Sequence, residues 1–227
     1  MNVSGARADI LSAVRRAIGS PAIERGADYA SIERGYAAAG TLDEAGRVAL
    51  FADRLTHYNV GVHHTGRDAV ASAIAGVCAS RGRRRLVVPD GFQAPLIPGT
   101  IEVLSDAGLS YEALDQCEGV LTAATLAIAL TGSIVLTHGA GEGRRAATLI
   151  PDYHLCVVRA EQIVETVPEA LRRLATLDPA LITTISGPSA TADIEMIRVR
   201  GVHGPRTLDV IIVGTGDPGP GTRHNHL

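Results

Sequence analysis

A polar turn between two apolar runs has the residue types needed to bind an anion or a carbonyl oxygen. The β-branched run at residues 181–185 predicts a strand that stops at Gly187, where glycine admits unusual backbone angles and the following proline cannot extend a ladder. A strand, a glycine turn and a helix start leave several N–H groups unpaired, so the backbone around Gly187, Ser189 and Thr191 is a candidate anion cradle. The alternative is a turn that only connects elements.

Three candidates for acid–base chemistry follow this turn. Residues 192–199 predict a short helix, on which Asp193 and Glu195 face different directions, so a paired-carboxylate mechanism is not expected. Asp193 is better suited to capping the helix than to catalysis. His203 lies between glycines in a turn, where a proton-carrier role and a structural hydrogen bond are both open.

A glycine-rich loop at residues 137–145 is a second candidate anion site. Its glycines, including Gly139 and Gly141, are predicted to free backbone amides, and Arg144 or Arg145 offers a charge-assisted fork for a carboxylate or phosphate. The loop is not a nucleotide-binding fingerprint, because glycine is missing at the required position and no lysine is near. A plain flexible loop is the alternative interpretation.

The remaining pattern predicts an α/β fold with a mostly parallel sheet flanked by helices. Apolar β-branched runs alternate with amphipathic segments, a rhythm that indicates parallel strands joined by right-handed crossovers. Residues 119–136 are almost wholly apolar, and Thr131-Gly132 divides them into two paired strands. The predicted helices are residues 4–18, 41–58 with Thr41 as N-cap, 68–80, 111–116 and 161–175 with a kink at Pro168; the predicted strands are residues 60–62, 86–88, 101–104, 155–158 and 208–213.

Three breaker-rich loops, at residues 89–99, 137–145 and 186–189, each follow a predicted strand. Because parallel strands end at the same edge of a sheet, where open α/β folds bind ligands, we expect the three loops to form one pocket. The ligand predicted for this pocket is a small anion.

Composition and charge argue against several classes of protein. The 227 residues carry a formal net charge of −3 with a pI near 6.2, so no nucleic-acid surface is expected. Cys78, Cys117 and Cys156 include no C-x-x-C pair, and His224 and His226 in the tail make a poor metal site, so no metal is expected in this chain. Charged residues interrupt the N-terminal segment, and no stretch is long and apolar enough to span a membrane, so we expect a cytoplasmic protein.

Two segments resemble the C-terminal signature of LUD-domain proteins, the LutC/YkgG family of lactate utilization proteins. They are Ser-Gly-Pro-Ser-Ala-Thr-Ala-Asp-Ile-Glu at residues 186–195 and Gly-Val-His-Gly-Pro at residues 201–205. Further similarities are the Ala-Ile-Ala-Leu-Thr-Gly-Ser segment at residues 127–133, Arg144 ahead of Leu149-Ile150-Pro151 and His154, and the N-terminal helix.

The resemblance implies a NagB/RpiA/CoA-transferase-like fold with an N-terminal helical extension, and a role in oxidising L-lactate to pyruvate. It implies that iron–sulfur clusters sit on partner subunits and that this chain carries no redox cofactor of its own. It also favours Arg144 over Arg145 as the anion-binding arginine and places the Thr131-Gly132 turn near the site.

The chain departs from the family pattern at two positions. Leu130 stands where many members have an acidic residue, and Thr125 stands where members often have Asp. A missing carboxylate cannot act as an acid, a base or a ligand, so the chemistry of that site in relatives does not transfer directly to this chain.

The expected organisation is an N-terminal helix and irregular arm at residues 1–40, one LUD domain at residues 41–213 and a disordered Gly/Pro-rich tail at residues 214–227. The favoured function is an accessory subunit of an L-lactate-oxidising system that binds a small anion or a partner. The alternatives are a free-standing enzyme acting on a phosphorylated sugar, CoA ester or folate, and a non-catalytic structural or regulatory module. The sequence leaves open whether the chain is itself an enzyme and whether it forms homo-oligomers.

Overall fold

The computed structural model describes residues 3–18, 31–179, 181–192, 198–200 and 204–214. The chain divides into two compact units, Met1–Tyr36 and Ala37–Leu227. In the first unit, the predicted N-terminal helix is confirmed as α1, Val3–Ile18, and its apolar side chains Ile10 and Val14 are exposed.

The second unit has the predicted α/β architecture, built on a six-stranded sheet in which every neighbouring pair is parallel. In chain order the strands are β1 Gly61–Gly66, β2 Arg85–Val88, β3 Glu102–Ser105, β4 Val120–Thr122, β5 Leu126–Ile128, β6 Ser133–Leu136, β7 Tyr153–Arg159, β8 Ile163–Val164, β9 Thr183–Ile185, β10 Ala190–Ala192, β11 Arg198–Arg200 and β12 Thr207–Gly214. The main sheet runs in the order β1-β12-β7-β4-β2-β3. Its central strands β12, β7 and β4 are buried almost throughout, as expected for apolar strands covered on both faces.

A second sheet, in the order β8-β5-β6-β9, covers one face of the main sheet. Strands β5 and β6 form the predicted antiparallel pair around Thr131-Gly132, and β9 pairs antiparallel with β6. Cys156, Val158 and Leu208 of the main sheet pack against this second sheet in one core. The second sheet therefore takes the place that a helix layer has in a doubly wound fold.

Helices cover the rest of the unit. They are α2 Glu44–His57, α3 Val70–Ser80, α4 Tyr111–Asp115 and α5 Val167–Leu177. Helix α3 packs Val70 and Ile74 against Leu155 and Val157 on the face of the main sheet opposite the second sheet, because successive side chains of a strand alternate between faces. Among the described residues, no helix is both long and apolar enough to cross a membrane.

Two predicted helix starts are wrong for local reasons. Helix α2 is capped by Asp43 rather than by Thr41, because the Asp43 carboxylate accepts a hydrogen bond from the amide of Gly46 at 2.8 Å. The helix predicted at residues 161–175 begins only at Val167, and a short 3₁₀ turn and strand β8 precede it.

The late start of α5 follows from its capping box. The Thr166 side chain accepts from the amide of Glu169, and the Glu169 carboxylate accepts from the amide of Thr166 at 2.8 Å. Pro168 then sits in the first turn, where no helical hydrogen bond is lost, so it starts the helix instead of kinking it.

The helix predicted at residues 192–199 is also wrong. Strands β10 and β11 pair antiparallel and place Thr191 opposite Val199, while residues 193–197 between them lie outside the described residues. The β-branched pair Thr191 and Val199 favours strands over a helix. The helix was predicted because residues that can cap a helix stand at the start of this segment, and they carry no information about strand pairing.

Candidate functional site

A cavity of about 490 Å³ lies at the carboxyl edge of the main sheet, where open α/β folds place their ligands. Its lining comes from the ends of five parallel strands. Val70 follows β1, Phe92 follows β2, Ala123 follows β4, Arg159 ends β7 and Val213 lies near the end of β12. We call this space the carboxyl-edge cavity.

Two of the three predicted loops meet at this cavity. The amide of Gly141, in the loop after β6, donates to the carbonyl of Asp90, in the loop after β2, at 2.8 Å. Gly91 and Gly141 have φ angles of 84° and 77°, and a β-carbon on Gly91 would lie 2.6 Å from that of Ala140. Glycine is therefore required for the two loops to approach this closely.

Glu142 places a buried carboxylate in the wall of the carboxyl-edge cavity. One oxygen accepts from the Thr125 hydroxyl at 2.6 Å, and the other accepts from the amide of Thr137 at 2.6 Å. The hydroxyls of Thr125 and Thr137 are 2.7 Å apart, which closes the network. The chain thus supplies a carboxylate beside Thr125, from a residue that the sequence did not single out.

Two arginines bring positive charge to this cavity. Arg67 is paired with Glu161 at 3.2 Å, whereas the structure gives the Arg159 guanidinium no carboxylate or carbonyl partner among the described residues. The Gln162 side chain accepts from the Arg159 amide at 2.8 Å and donates to the Ala124 carbonyl at 2.6 Å. Gln162 therefore fixes the backbone at the end of β7, and the charge of Arg159 remains available to an anion.

Arg144, the arginine favoured from the sequence, does not line either cavity. Its Nε and its amide donate to the two oxygens of Asp106 at 2.8 and 3.1 Å, and Nη2 donates to the carbonyl of Leu109. Its guanidinium also lies 5.9 Å from the centre of the Tyr111 ring. Arg144 thus ties the loop after β6 to the turn that precedes α4.

Several amides of the glycine-rich loop are engaged within the protein. The amide of Glu142 donates to the carbonyl of Gly139 at 3.1 Å, and those of Gly141 and Arg144 bond as described above. This loop therefore offers fewer unpaired amides than its glycine content indicates.

The signature turn after β9 lies at the opposite edge of the main sheet. Gly187 and Ser189 line a second cavity, of about 280 Å³, together with His154 and Leu208, the second residues of β7 and β12. The prediction of a single pocket is therefore wrong, because β9 pairs antiparallel within the second sheet and its end does not reach the carboxyl edge. We call this second space the amino-edge cavity.

The two halves of the signature are in contact beside the amino-edge cavity. The amide of Ser189 donates to the carbonyl of Pro205 at 2.8 Å. Gly187 has a φ of 82°, and a β-carbon there would lie 2.6 Å from that of Tyr58. Gly187 is thus needed for both its backbone angle and its packing.

The other predicted site residues either do not line these two cavities or lie outside the described residues. Thr131 and Gly132 form the tip of the β5–β6 hairpin, where the Thr131 hydroxyl lies 2.8 Å from that of Ser133, and neither lines one of the two cavities. Thr191 lies in β10. Asp193, Glu195 and His203 lie outside the described residues.

The three cysteines are buried and unpaired. Burial raises the pKa of Cys78 to about 11 and that of Cys156 to about 12, so these side chains are neutral thiols rather than thiolate ligands. Within the described part of the chain, no three His, Cys, Asp or Glu side chains are grouped so that they could hold a metal ion.

Arg159, Gln162 and Glu142 line the carboxyl-edge cavity but were not predicted from the sequence. A usable signal existed for Arg159, because it is the first polar residue after the apolar run at residues 155–158, and strand ends are where parallel sheets bind ligands. No local pattern indicates that Glu142 reaches Thr125.

Comparison with known proteins relates this chain to a family. The model of the LUD domain matches residues 48–213. The chain is 43% identical over 182 residues to lactate utilization protein C of Deinococcus radiodurans, covering 79% of this chain and 85% of that protein. It is 30% identical over 165 residues to YkgG of Escherichia coli, covering 66% and 71% of the two chains. Its fold is similar to the crystal structure of a DUF162 family protein from Deinococcus radiodurans, with a TM-score of 0.68 and 39% identity, covering 77% of this chain and 100% of the other.

Proposed function

The chain belongs to the LUD-domain family, and we propose that it is an accessory subunit of a lactate-utilization system. The name lactate utilization protein C, carried by its relatives from Deinococcus radiodurans and Halalkalibacterium halodurans, supports the system. In this proposal the chain binds a small organic anion in the carboxyl-edge cavity. The electron carriers, including any iron–sulfur clusters, belong to partner subunits.

The position of Arg159 is the observation that carries the proposal. Its side chain lines a cavity at the carboxyl edge of five parallel strands and has no internal carboxylate or carbonyl partner among the described residues. A bound anion would give the Arg159 guanidinium a charge-assisted hydrogen-bond partner. Apolar neighbours such as Phe92 and Val213 would cover the carbon skeleton of the ligand. At about 490 Å³ the cavity has room for a small organic anion.

Replacing Arg159 by Gln is expected to weaken anion binding by about tenfold or more, because one charge-assisted contact is lost. Titration calorimetry with L-lactate, pyruvate, CoA and phosphate measures the effect. The matched control is Arg85→Gln, which removes an exposed arginine that pairs with Glu102 at the amino end of β2. Equal affinities of the wild type and Arg159→Gln for every anion would contradict the assignment of this cavity.

The accessory role has two direct tests. The isolated chain is expected to show no lactate-dependent dye reduction, since its electron acceptors are proposed to lie on other subunits. Turnover by the isolated chain would exclude an accessory subunit.

Deletion of the gene is expected to abolish growth on L-lactate as sole carbon source and to leave growth on glucose unchanged, and normal growth on lactate would argue for a function elsewhere.

A further inference from the structure

The amino-edge cavity has its own set of groups suited to a small anion. Its lining includes one cation, Arg145, and no carboxylate among the described residues. Hydroxyl side chains such as Thr148 and Ser186 and apolar side chains such as Leu149 and Leu208 complete the wall. The described lining therefore carries one positive charge and has both polar and apolar surface.

His154 lines this cavity from within the sheet. The residue is only 1% exposed, its Nε2 lies 2.7 Å from the Thr122 hydroxyl, and the structure gives its Nδ1 no partner among the described residues. Burial lowers the pKa of His154 to about 4, so the ring is uncharged at neutral pH. A neutral ring with one nitrogen engaged by Thr122 can present the other to a ligand as a donor or an acceptor.

A chain of hydrogen bonds holds Arg145 at the cavity. The carbonyl of Gly143 can only accept, so Nδ1 of His138, at 2.8 Å, carries the proton. In the neutral ring, Nε2 then accepts from the Thr183 hydroxyl at 2.7 Å, and the Thr183 oxygen accepts from Nη1 of Arg145 at 2.6 Å. Arg145 uses one N–H donor in this contact, and the other N–H donors of its planar guanidinium remain for a carboxylate.

We propose that the amino-edge cavity is a second ligand site, for a small monocarboxylate that has a hydroxyl or oxo group next to the carboxylate. One arginine, with no carboxylate beside it in the described lining, matches a single negative charge. The neighbouring oxygen of the ligand meets Nδ1 of His154 and the hydroxyls of the wall, while Leu149 and Leu208 cover a short apolar tail. The volume of about 280 Å³ is below the range of about 300–1,000 Å³ typical of sites for drug-sized molecules, so the cavity suits a smaller ligand.

This second site is separate from the carboxyl-edge cavity. His154 and Arg159 lie on the same strand, β7, so at about 3.3 Å per residue they are about 16 Å apart, and their side chains leave opposite faces of that strand. The buried side chains of Cys156 and Val158 lie between these two positions. One site can therefore be disabled while binding to the other is measured.

The Arg145→Gln variant tests the site, using pyruvate and L-lactate as probes. In a protein that also carries Arg159→Gln, to remove binding at the carboxyl-edge cavity, the change is expected to weaken the affinity for both acids about tenfold or more. The control Arg206→Gln removes an exposed arginine that pairs with Asp152 near the same edge but does not line the cavity, and it is expected to keep the parent affinity. Unchanged binding after Arg145→Gln overturns the proposal.

A second readout locates the ligand without a substitution. In protein labelled with ¹⁵N-histidine, saturating pyruvate is expected to shift the Nδ1 resonance of His154 and to leave His63 unshifted, since His63 lies beside Asp209 on the other face of the sheet. An unshifted His154 overturns the proposal.

If Arg159→Gln alone then abolishes binding, the acids occupy the carboxyl-edge cavity, which refutes the second site and keeps the proposed function. Inorganic phosphate that shifts His154 and binds as tightly as pyruvate overturns the carboxylate assignment.

Discussion

Replacing Asp209 by Asn is expected to lower the free energy of unfolding by about 2–3 kcal/mol. Asp209 is fully buried on β12 and accepts two hydrogen bonds from Arg81, from Nε and Nη2, each at 2.8 Å. His63 lies 3.5 Å from the same carboxylate. Asparagine keeps the shape of the side chain but loses the charge and one acceptor oxygen, so Arg81 loses one of its two hydrogen bonds and the negative charge beside Arg81 and His63 disappears.

The exposure of Arg81 sets the size of this effect. Removing one member of a fully buried ion pair costs about 3–5 kcal/mol, because the other charge is stranded away from water. The Arg81 side chain is 43% exposed, so it can turn toward solvent and the cost is smaller. The pair also joins the end of α3 to β12, and it requires Gly61, where a β-carbon would lie 1.7 Å from the Asp209 carboxylate.

Urea unfolding at neutral pH measures the change, with Asp152→Asn as the matched control. Asp152 pairs with Arg206 at 3.3 Å on the surface, so its replacement is expected to change the free energy of unfolding by less than about 0.5 kcal/mol. If Asp209→Asn is no less stable than Asp152→Asn, the buried pair contributes nothing to stability.

The same residue predicts how stability depends on pH. Burial by itself would raise the pKa of Asp209, but the nearby His63 and the hydrogen bonds and positive charge of Arg81 outweigh it and lower the pKa from 3.8 to about 2. A carboxyl group whose folded pKa is depressed stabilises the protein above its unfolded pKa, and this stabilisation is lost as the pH falls from about 4 to about 2. Thermal melting over this range is expected to fall more steeply for the wild type than for Asp209→Asn, and parallel curves would contradict the assignment.

The strands of the main sheet could be predicted from the sequence because their signal is local. Residues 155–158 and 208–213 are rich in apolar and β-branched residues, and in the structure β7 and β12 are buried on both faces. The parallel arrangement followed from the alternation of strands and helices. The prediction that the loops after β2 and β6 meet at one edge is correct, although β6 lies in the second sheet and not among the parallel strands.

Non-local pairing is the part that the sequence did not show. Nothing within residues 183–185 indicates that β9 pairs antiparallel with β6, and this one pairing moves the signature turn to the amino edge. Likewise, the resemblance favoured Arg144, but the local pattern could not show that Asp106 already binds its guanidinium. The start of α5 was readable, since Thr166 and Glu169 have the spacing of a capping box.

Replacing Glu142 by Ala is expected to lower the free energy of unfolding by about 2–4 kcal/mol, because the buried Thr137 amide and Thr125 hydroxyl lose their acceptor and a small void remains. Glu142→Gln is expected to cost only about 1 kcal/mol, since its oxygen can still accept from the Thr137 amide and its amino group can donate to Thr125. Urea unfolding measures both, with the exposed Glu102→Gln as the control.

Anion binding separates a structural role of Glu142 from a role in holding the ligand. The negative charge of Glu142 in the wall of the carboxyl-edge cavity opposes a bound anion, so Glu142→Gln is expected to tighten anion binding on the order of threefold despite the loss of stability. Arg159→Gln changes affinity in the opposite direction, because it removes the attractive charge from the same cavity. If Glu142→Gln weakened binding as Arg159→Gln does, Glu142 would contact the ligand directly, and the cavity would accept a hydrogen-bond donor rather than a simple anion.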